Sequence, residues 1–414
     1  MEDLTALRVN AERLWQDFQA LSRIGVTADG LGVHRPALSP AHLDARRWFA
    51  GRVRQAGLAL RIDSAGNHSG FLKCGPPGAP TLLLGSHLDS VPNGGRYDGA
   101  LGVLAALEAL RVVREAGLTL PYHLEAIDFT DEEGTLVGLL GSAALAGTLR
   151  PEELITPRGG RASLEEGFAR AGLTEDELSL AQRAPSTLAG YLELHIEQGP
   201  RLLNAGVPIG VVTAIVGICS YRVDFTGRAD HAGTTPMTER RDAGLGASAF
   251  SLAVRRVLLD EFPDCVANIG QIAYTPGAFN IVPERASLAL ELRAPDTESF
   301  ARLEAALLLQ ARQAAEAYRL ELETRFMGRH QPTPMSPAVQ AAITRAAAAL
   351  DLPCMPLVSG AGHDAQSLAA VCPAGMLFIP SQGGASHSPR ELSRWEDCLN
   401  GANVLLQAAL KFEK

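Results

Sequence analysis

The sequence predicts an α/β protein of two domains, and three observations carry that reading. The chain has 414 residues, and a single core tends to split beyond roughly 250 to 300 residues. Over 81–129 a strand, a helix and a second strand succeed one another, the alternation of an α/β sheet. Past Gly206 the texture changes to strands broken by two long helices, the pattern of a small α+β sandwich set into the larger domain.

The first sixty residues read as helix, loop, helix. Apolar side chains recur at helical spacing over 4–24, Ser39 and Pro40 form a start signal, and a second helix follows over 42–55. The run TLLLG at 81–85 is short, apolar and followed by a turn, as expected of a strand buried on both faces. A helix over 101–116 and a strand over 122–129 come next, and 151–188, rich in Glu and Arg, read as a surface insertion of short helices. YLELHIE at 191–197 alternates strictly and returns the chain to the sheet. Beyond it strands are expected at 211–218, 220–229, 268–274 and 281–294, with helices at 242–258 and 297–318. The chain re-enters the first domain near Gly328. A helix over 337–350, a glycine-rich turn at 359–362, a helix over 364–370, a strand over 374–379, a loop holding His387 and a closing helix from Arg394 complete it.

Composition excludes several function classes. Hydrophobic residues make up 46% of the chain, which suffices for a large interior, and the 37 Lys and Arg against 46 Asp and Glu give a net charge of −9. That balance argues against binding a phosphate backbone, so no nucleic-acid partner is expected. No apolar run approaches the ~18 residues of a membrane span, and Glu2, Asp3, Arg8, Glu12 and Arg13 leave no apolar leader. No membrane association and a cytoplasmic location are expected. The six cysteines are dispersed without a Cys-x-x-Cys pair, so they read as reduced, buried side chains.

A hydrolytic metal site needs oxygen and imidazole ligands converging from separate elements, with a position left for water. His87 and Asp89 close the strand at 81–85, and Asp98 follows a flexible loop rich in glycine. Asp131, Glu132 and Glu133 follow the next strand with no basic neighbour. Three adjacent carboxylates repel one another, and a bound dication is the commonest compensation. His195 lies on the following strand and His387 near the C-terminus. Ligands of open α/β sheets gather at such strand ends. Taken singly, each motif is more often structural: an isolated histidine such as His34, His42, His68, His123 or His330 is surface or core at roughly four to one.

Jointly the motifs are specific. GSHLDSVPNGGRYDG at 85–99, DEEG at 131–134, HIEQGP at 195–200, HAGTTPM at 231–237 and SHSP at 386–389 resemble, in the same order, the hydantoinase/carbamoylase amidase branch of the M20 metallopeptidase superfamily. That branch holds N-carbamoyl-L-amino acid hydrolases, allantoate amidohydrolases and β-ureidopropionases. The resemblance implies a mixed-sheet, zinc-peptidase-like catalytic domain over 1–210 and 327–414. It also implies an inserted α+β, ferredoxin-like domain over 211–326 that serves as lid and dimerisation surface. It makes Asp98 the bridge between two divalent ions (Zn2+, or Mn2+, Co2+ or Ni2+), with His87, Glu133, His195 and His387 as further ligands and Glu132 as the base. Asp89 is implied as the acceptor that fixes the His87 tautomer, although a capping acid in a tight loop is an equal alternative. Gln198 next to the metals, and Asn280 and Arg293 as a clamp for a substrate carboxylate, match the branch. An Arg on an alternating strand would otherwise be read as a surface residue. His231 would stabilise the developing oxyanion after domain closure or from a second subunit, and Gly362 would line a wall where backbone approaches substrate, beside His363. The implied reaction is removal of the carbamoyl group from N-carbamoyl-L-amino acids by a homodimer. Allantoate amidohydrolase or β-ureidopropionase activity stands as the alternative, and an M20 dipeptidase or aminoacylase as a further one.

Overall fold

A computed structural model describes residues 4–413. Contacts group the chain into two compact units, one running to Thr213 and including Met335–Leu357 and the chain from Gly362, the other comprising Ala214–Pro334 and Val358–Ala361.

The first unit begins with α1 (Ala11–Ser22) and α2 (Pro40–Gln55). The Asn10 side chain accepts from Arg13 N and Ser39 from His42 N, which satisfies backbone donors that the first turn leaves open. Asn10 also explains why the helix expected over 4–24 is broken: it caps a new start, and only a short turn at Leu4–Ala6 precedes it. The chain continues as β1 (Ala59–Ile62), β2 (His68–Leu72), β3 (Thr81–His87), α3 (Ala100–Glu115), β4 (His123–Phe129), α4 (Leu140–Ala146), α5 (Pro151–Ile155), α6 (Arg161–Ala171), β5 (Leu188–Ile196), α7 (Arg201–Ala205) and β6 (Ile209–Ile215).

The second unit contributes β7 (Gly217–Thr226), α8 (Ala243–Glu261), β8 (Val266–Thr275), β9 (Arg285–Ala294), α9 (Thr297–Tyr318), β10 (Glu321–His330) and β11 (Thr333–Pro334). Then come α10 (Pro337–Ala348), β12 (Cys354–Ser359), α11 (Asp364–Leu368), β13 (Ala374–Ile379) and α12 (Trp395–Leu410).

The large sheet has the order β1-β2-β4-β3-β5-β13-β6-β11, with β12 also pairing β6. The β4-β3-β5-β13 core is parallel, while β1-β2, β2-β4 and β13-β6 are antiparallel. Strands β3, β4 and β5 are buried along their whole length, as the unbroken apolar run at 81–85 requires. Helix α3 lies close against them: a Cβ on Gly102 would come 2.4 Å from Leu194 O.

The second unit is a four-stranded antiparallel sheet, ordered β10-β7-β9-β8. Leu288, Leu290 and Leu292 of β9 share a core with Phe250, Val254 and Val257 of α8 and Phe300, Leu303 and Leu307 of α9. Its order β-α-β-β-α-β is the split βαβ arrangement. Two expectations are corrected here. The apolar stretch 211–218 is not one strand of the small sheet, because β6 pairs with β13 and β7 starts anew at Gly217. The segment 321–330, where no strand is expected from the sequence and the return to the first domain is expected near Gly328, is edge strand β10, paired with β7. It is mostly exposed and so carries no apolar period to read.

Candidate metal centre

The parallel core sends the carboxyl ends of β3, β4 and β5 to one edge of the sheet, and the candidate ligands sit on those ends. His87 is the last residue of β3, and His195 is the penultimate residue of β5. Glu132 and Glu133 follow β4, Asp98 precedes the Gly99 that caps α3, and His387 lies in the loop after β13. Asp98 joins two groups of three. Its Oδ1 lies 3.4 Å from His87 Nε2 and 3.1 Å from His195 Nε2, while its Oδ2 is 3.6 Å from His387 Nε2. Glu133 Oε2 completes the second group 3.3 Å from His387 Nε2. Within each group one ligand atom per residue lies within 4.8 Å of the others. Glu132 belongs to neither, and its Oε2 stands 3.4 Å from His87 Nε2.

The electrostatics of this cluster suit divalent cations. His87 Nε2 is buried and makes no hydrogen bond. Burial alone would lower the His87 imidazole, but Glu132, Asp98 and Asp89 carry it well above its ordinary value. Burial pushes Glu132 and Glu133 far up, with like-charged neighbours adding to the effect. Burial would do the same to Asp98, yet His195 and His87 hold it well below the carboxylate range. A largely buried set of imidazoles and crowded carboxylates, with His387 half exposed and one orphaned ring nitrogen among them, fits hard or borderline dications.

Neighbouring residues fix the candidate ligands. Glu132 N and Glu133 N donate to the two oxygens of Asp89 at 3.3 and 3.2 Å. His87 Nδ1 lies 3.1 Å from the Asp89 carbonyl oxygen and 3.7 Å from its Oδ1. The Asp89 carboxylate thus caps the loop after β4, while the His87 ring meets the Asp89 backbone carbonyl and not its side chain at hydrogen-bond distance. Asp131, at φ 56°, accepts from the backbone N–H groups of Leu136, Val137 and Gly138 and folds the loop after β4. Gly99 is required: its φ is 61°, and a Cβ would lie 2.5 Å from the His87 ring. Gln198 Nε2 donates to Asp98 Oδ2 at 2.8 Å, and both Gln198 and His387 have positive φ, backbone strain of the kind that collects at functional sites.

Sequence reasoning missed two buried acids. Glu391 accepts from Tyr97 N, Asp98 N and Ser386 Oγ at 3.0, 3.1 and 2.9 Å, tying the Asp98 and His387 loops together. Burial and Asp98 push it up to about 7. Glu193, two residues before His195 on β5, accepts from Ser86 Oγ at 2.8 Å and Ala365 N at 3.1 Å. Its signal was the period of two that it shares with His195. His363 packs edge-on against His195 with ring centroids 4.5 Å apart, and Gly362 precedes it without crowding, a Cβ there meeting only Gln366 Oε1 at 3.5 Å.

His231, Asn280 and Arg293 belong to the second unit. His231 pairs with Ile281 in an isolated bridge, which sets it beside the turn of Asn280, and its Nδ1 accepts from Gly233 N and Thr234 N at 3.0 and 3.2 Å. Arg293 lies on the half-exposed face of β9.

Comparison with known proteins finds relatives over nearly the whole chain. The chain is 40% identical to an N-carbamoyl-L-amino acid amidohydrolase of Geobacillus stearothermophilus over 96% of its length and 97% of that protein's. It is 36% identical to a ureidoglycolate hydrolase of Arabidopsis thaliana, covering 97% of this chain and 86% of that one. A hydantoinase/carbamoylase family amidase from Burkholderia multivorans superposes with a TM-score of 0.88 at 34% identity, over 98% of both chains. Residues 83–411, which include every residue of the acid and imidazole cluster, match the peptidase family M20/M25/M40, and the chain belongs to that family.

Proposed function

We propose that the protein hydrolyses N-carbamoyl-L-amino acids to the amino acid, carbon dioxide and ammonia, using two divalent cations held by the Asp98 cluster. The observation that carries this reading is Asp98 itself, with one carboxylate oxygen turned to His87 and His195 and the other to His387 near Glu133. Two dications in such a setting lower the pKa of a water and polarise a scissile carbonyl. Glu132 Oε2 takes the proton of the attacking water and passes it to the departing nitrogen. His231 donates to the developing oxyanion, a contact commonly worth about 10²- to 10³-fold in rate. Arg293 grips the substrate carboxylate through parallel N–H donors, with Asn280 as a further donor. Gln198 supports Asp98, and Gly362 leaves backbone open to the substrate.

Names of relatives support the ureido chemistry: the Geobacillus protein is a carbamoyl amino acid amidohydrolase and the Arabidopsis protein a ureidoglycolate hydrolase. Both substrate classes pair a ureido group with a carboxylate. The proposal extends to a cytoplasmic homodimer formed through the second unit. No helix among the described residues is long and apolar enough to cross a membrane. Leu245, Leu252 and Leu259 form an exposed stripe on α8, and β8 leaves a sheet edge open to pairing.

The decisive experiment is a substrate panel on protein stripped and refilled separately with zinc, manganese, cobalt and nickel. Ammonia release from N-carbamoyl-L-amino acids supports the proposal. Preference for ureidoglycolate, allantoate or β-ureidopropionate would reassign the substrate. Hydrolysis of dipeptides or N-acetyl amino acids without ammonia would overturn the carbamoyl reading.

A further inference from the structure

We infer that Glu291 is a positioning residue for the substrate clamp, holding the Arg293 guanidinium in the orientation that receives a carboxylate. The inference rests on the proposed role of Arg293. Glu291 and Arg293 are two residues apart on β9 and share the face opposite the apolar core, since Leu290, Leu292 and Ala294 between and beside them are buried. Glu291 Oε1 accepts from Arg293 Nε at 2.9 Å and from Nη2 at 2.7 Å, and Gly360 O accepts from Nη1 at 2.6 Å. A guanidinium has five N–H donors. Glu291 takes two and Gly360 one, so two remain, one on each terminal nitrogen. That is the number a carboxylate's two oxygens accept.

The pair adds little to folding. The Arg293 and Glu291 side chains are 31% and 39% exposed, and ion pairs in that setting contribute little to stability because water screens them. Its effect is orientational. An arginine side chain carries several free torsions, and one acceptor bridging Nε and Nη2 fixes the plane of the fork before substrate arrives. Cross-strand neighbours cannot do this: Ile218 and Val266 stand opposite Arg293 and offer only apolar side chains. Ser220 and Asn268 stand opposite Glu291, one register step away.

The test measures KM and kcat for an N-carbamoyl-L-amino acid and for its neutral amide analogue, using Glu291→Ala, Glu291→Gln, Glu291→Asp and Arg293→Met in metal-loaded enzyme, with thermal midpoints as the folding control. Glu291→Ala raises KM for the acid about tenfold or more, the loss expected when an aligned charged hydrogen bond is misplaced. It changes kcat less than about threefold and leaves KM for the amide near wild type. Glu291→Gln keeps the acceptor oxygen and recovers most of that increase, and Glu291→Asp, with a shorter arm, falls between. A rise in KM with Arg293→Met but none with Glu291→Ala or Glu291→Asp overturns the positioning role and leaves the clamp standing. No change with Arg293→Met overturns the clamp as well. A lower KM in both Glu291→Ala and Glu291→Gln would show that Glu291 acts only as a competing charge, and would also overturn the inference.

Discussion

Asp98 illustrates how a single side chain acquires its place. Its carboxylate faces imidazoles on both sides, its N–H is held by Glu391, and the next residue must be glycine because the His87 ring fills the space of a Cβ. Gly99→Ala is therefore expected to cost more than about 1 kcal/mol, since alanine at positive φ adds backbone strain to the clash. It should also lower the metal content of purified protein, as read by chemical denaturation and elemental analysis. Glu132→Gln should leave metal content near wild type while reducing turnover by about 10²- to 10⁴-fold. Retained turnover would remove Glu132 as the base. The residues of the candidate cluster were legible because each sits in a short motif with distinctive chemistry. Glu391 was not, since a lone Glu in a loop reads as solvated and nothing local reveals that it meets Asp98 some 290 positions earlier in the chain.

At the scale of elements, α2 shows a titrating group built into the core. Leu38 N donates to His42 Nδ1, and burial, reinforced by Arg46 one turn on, keeps that imidazole well below its ordinary range. Burial and Arg46 also lower His68, to about 4. Both rings stay neutral in the folded chain while the unfolded chain protonates them below about 6.5, so stability is lost as pH falls from about 6.5 toward 4. Urea midpoints should drop over that window, and the drop should shrink in the His42→Asn, His68→Asn double variant; an equal drop in both proteins would exclude these rings as its source. Buried elements such as β3 and α3 were readable from their apolar content. Strand β10 was not, because an exposed edge has no apolar stripe, and the break between β6 and β7 was hidden because both flanks are apolar.

For the whole molecule, the proposed dimer gives a direct measurement. Leu252 and Leu259 are two turns apart on α8, and both are exposed. Replacing both with Asp should convert a dimer to a monomer in analytical ultracentrifugation, because two charges would be buried unpaired at the contact. An unchanged sedimentation coefficient would move the interface elsewhere. The arrangement of β13 has its own consequence. This strand lies between β5 and β6, and His387 follows it, so during synthesis the central sheet keeps an open slot until the segment Ala374–Ile379 has left the ribosome. Until then the nascent polypeptide leaves the edges of β5 and β6 unpaired and lacks one member of the proposed metal cluster, so shielding by a chaperone and late loading of any ions are the order of maturation expected under the proposal.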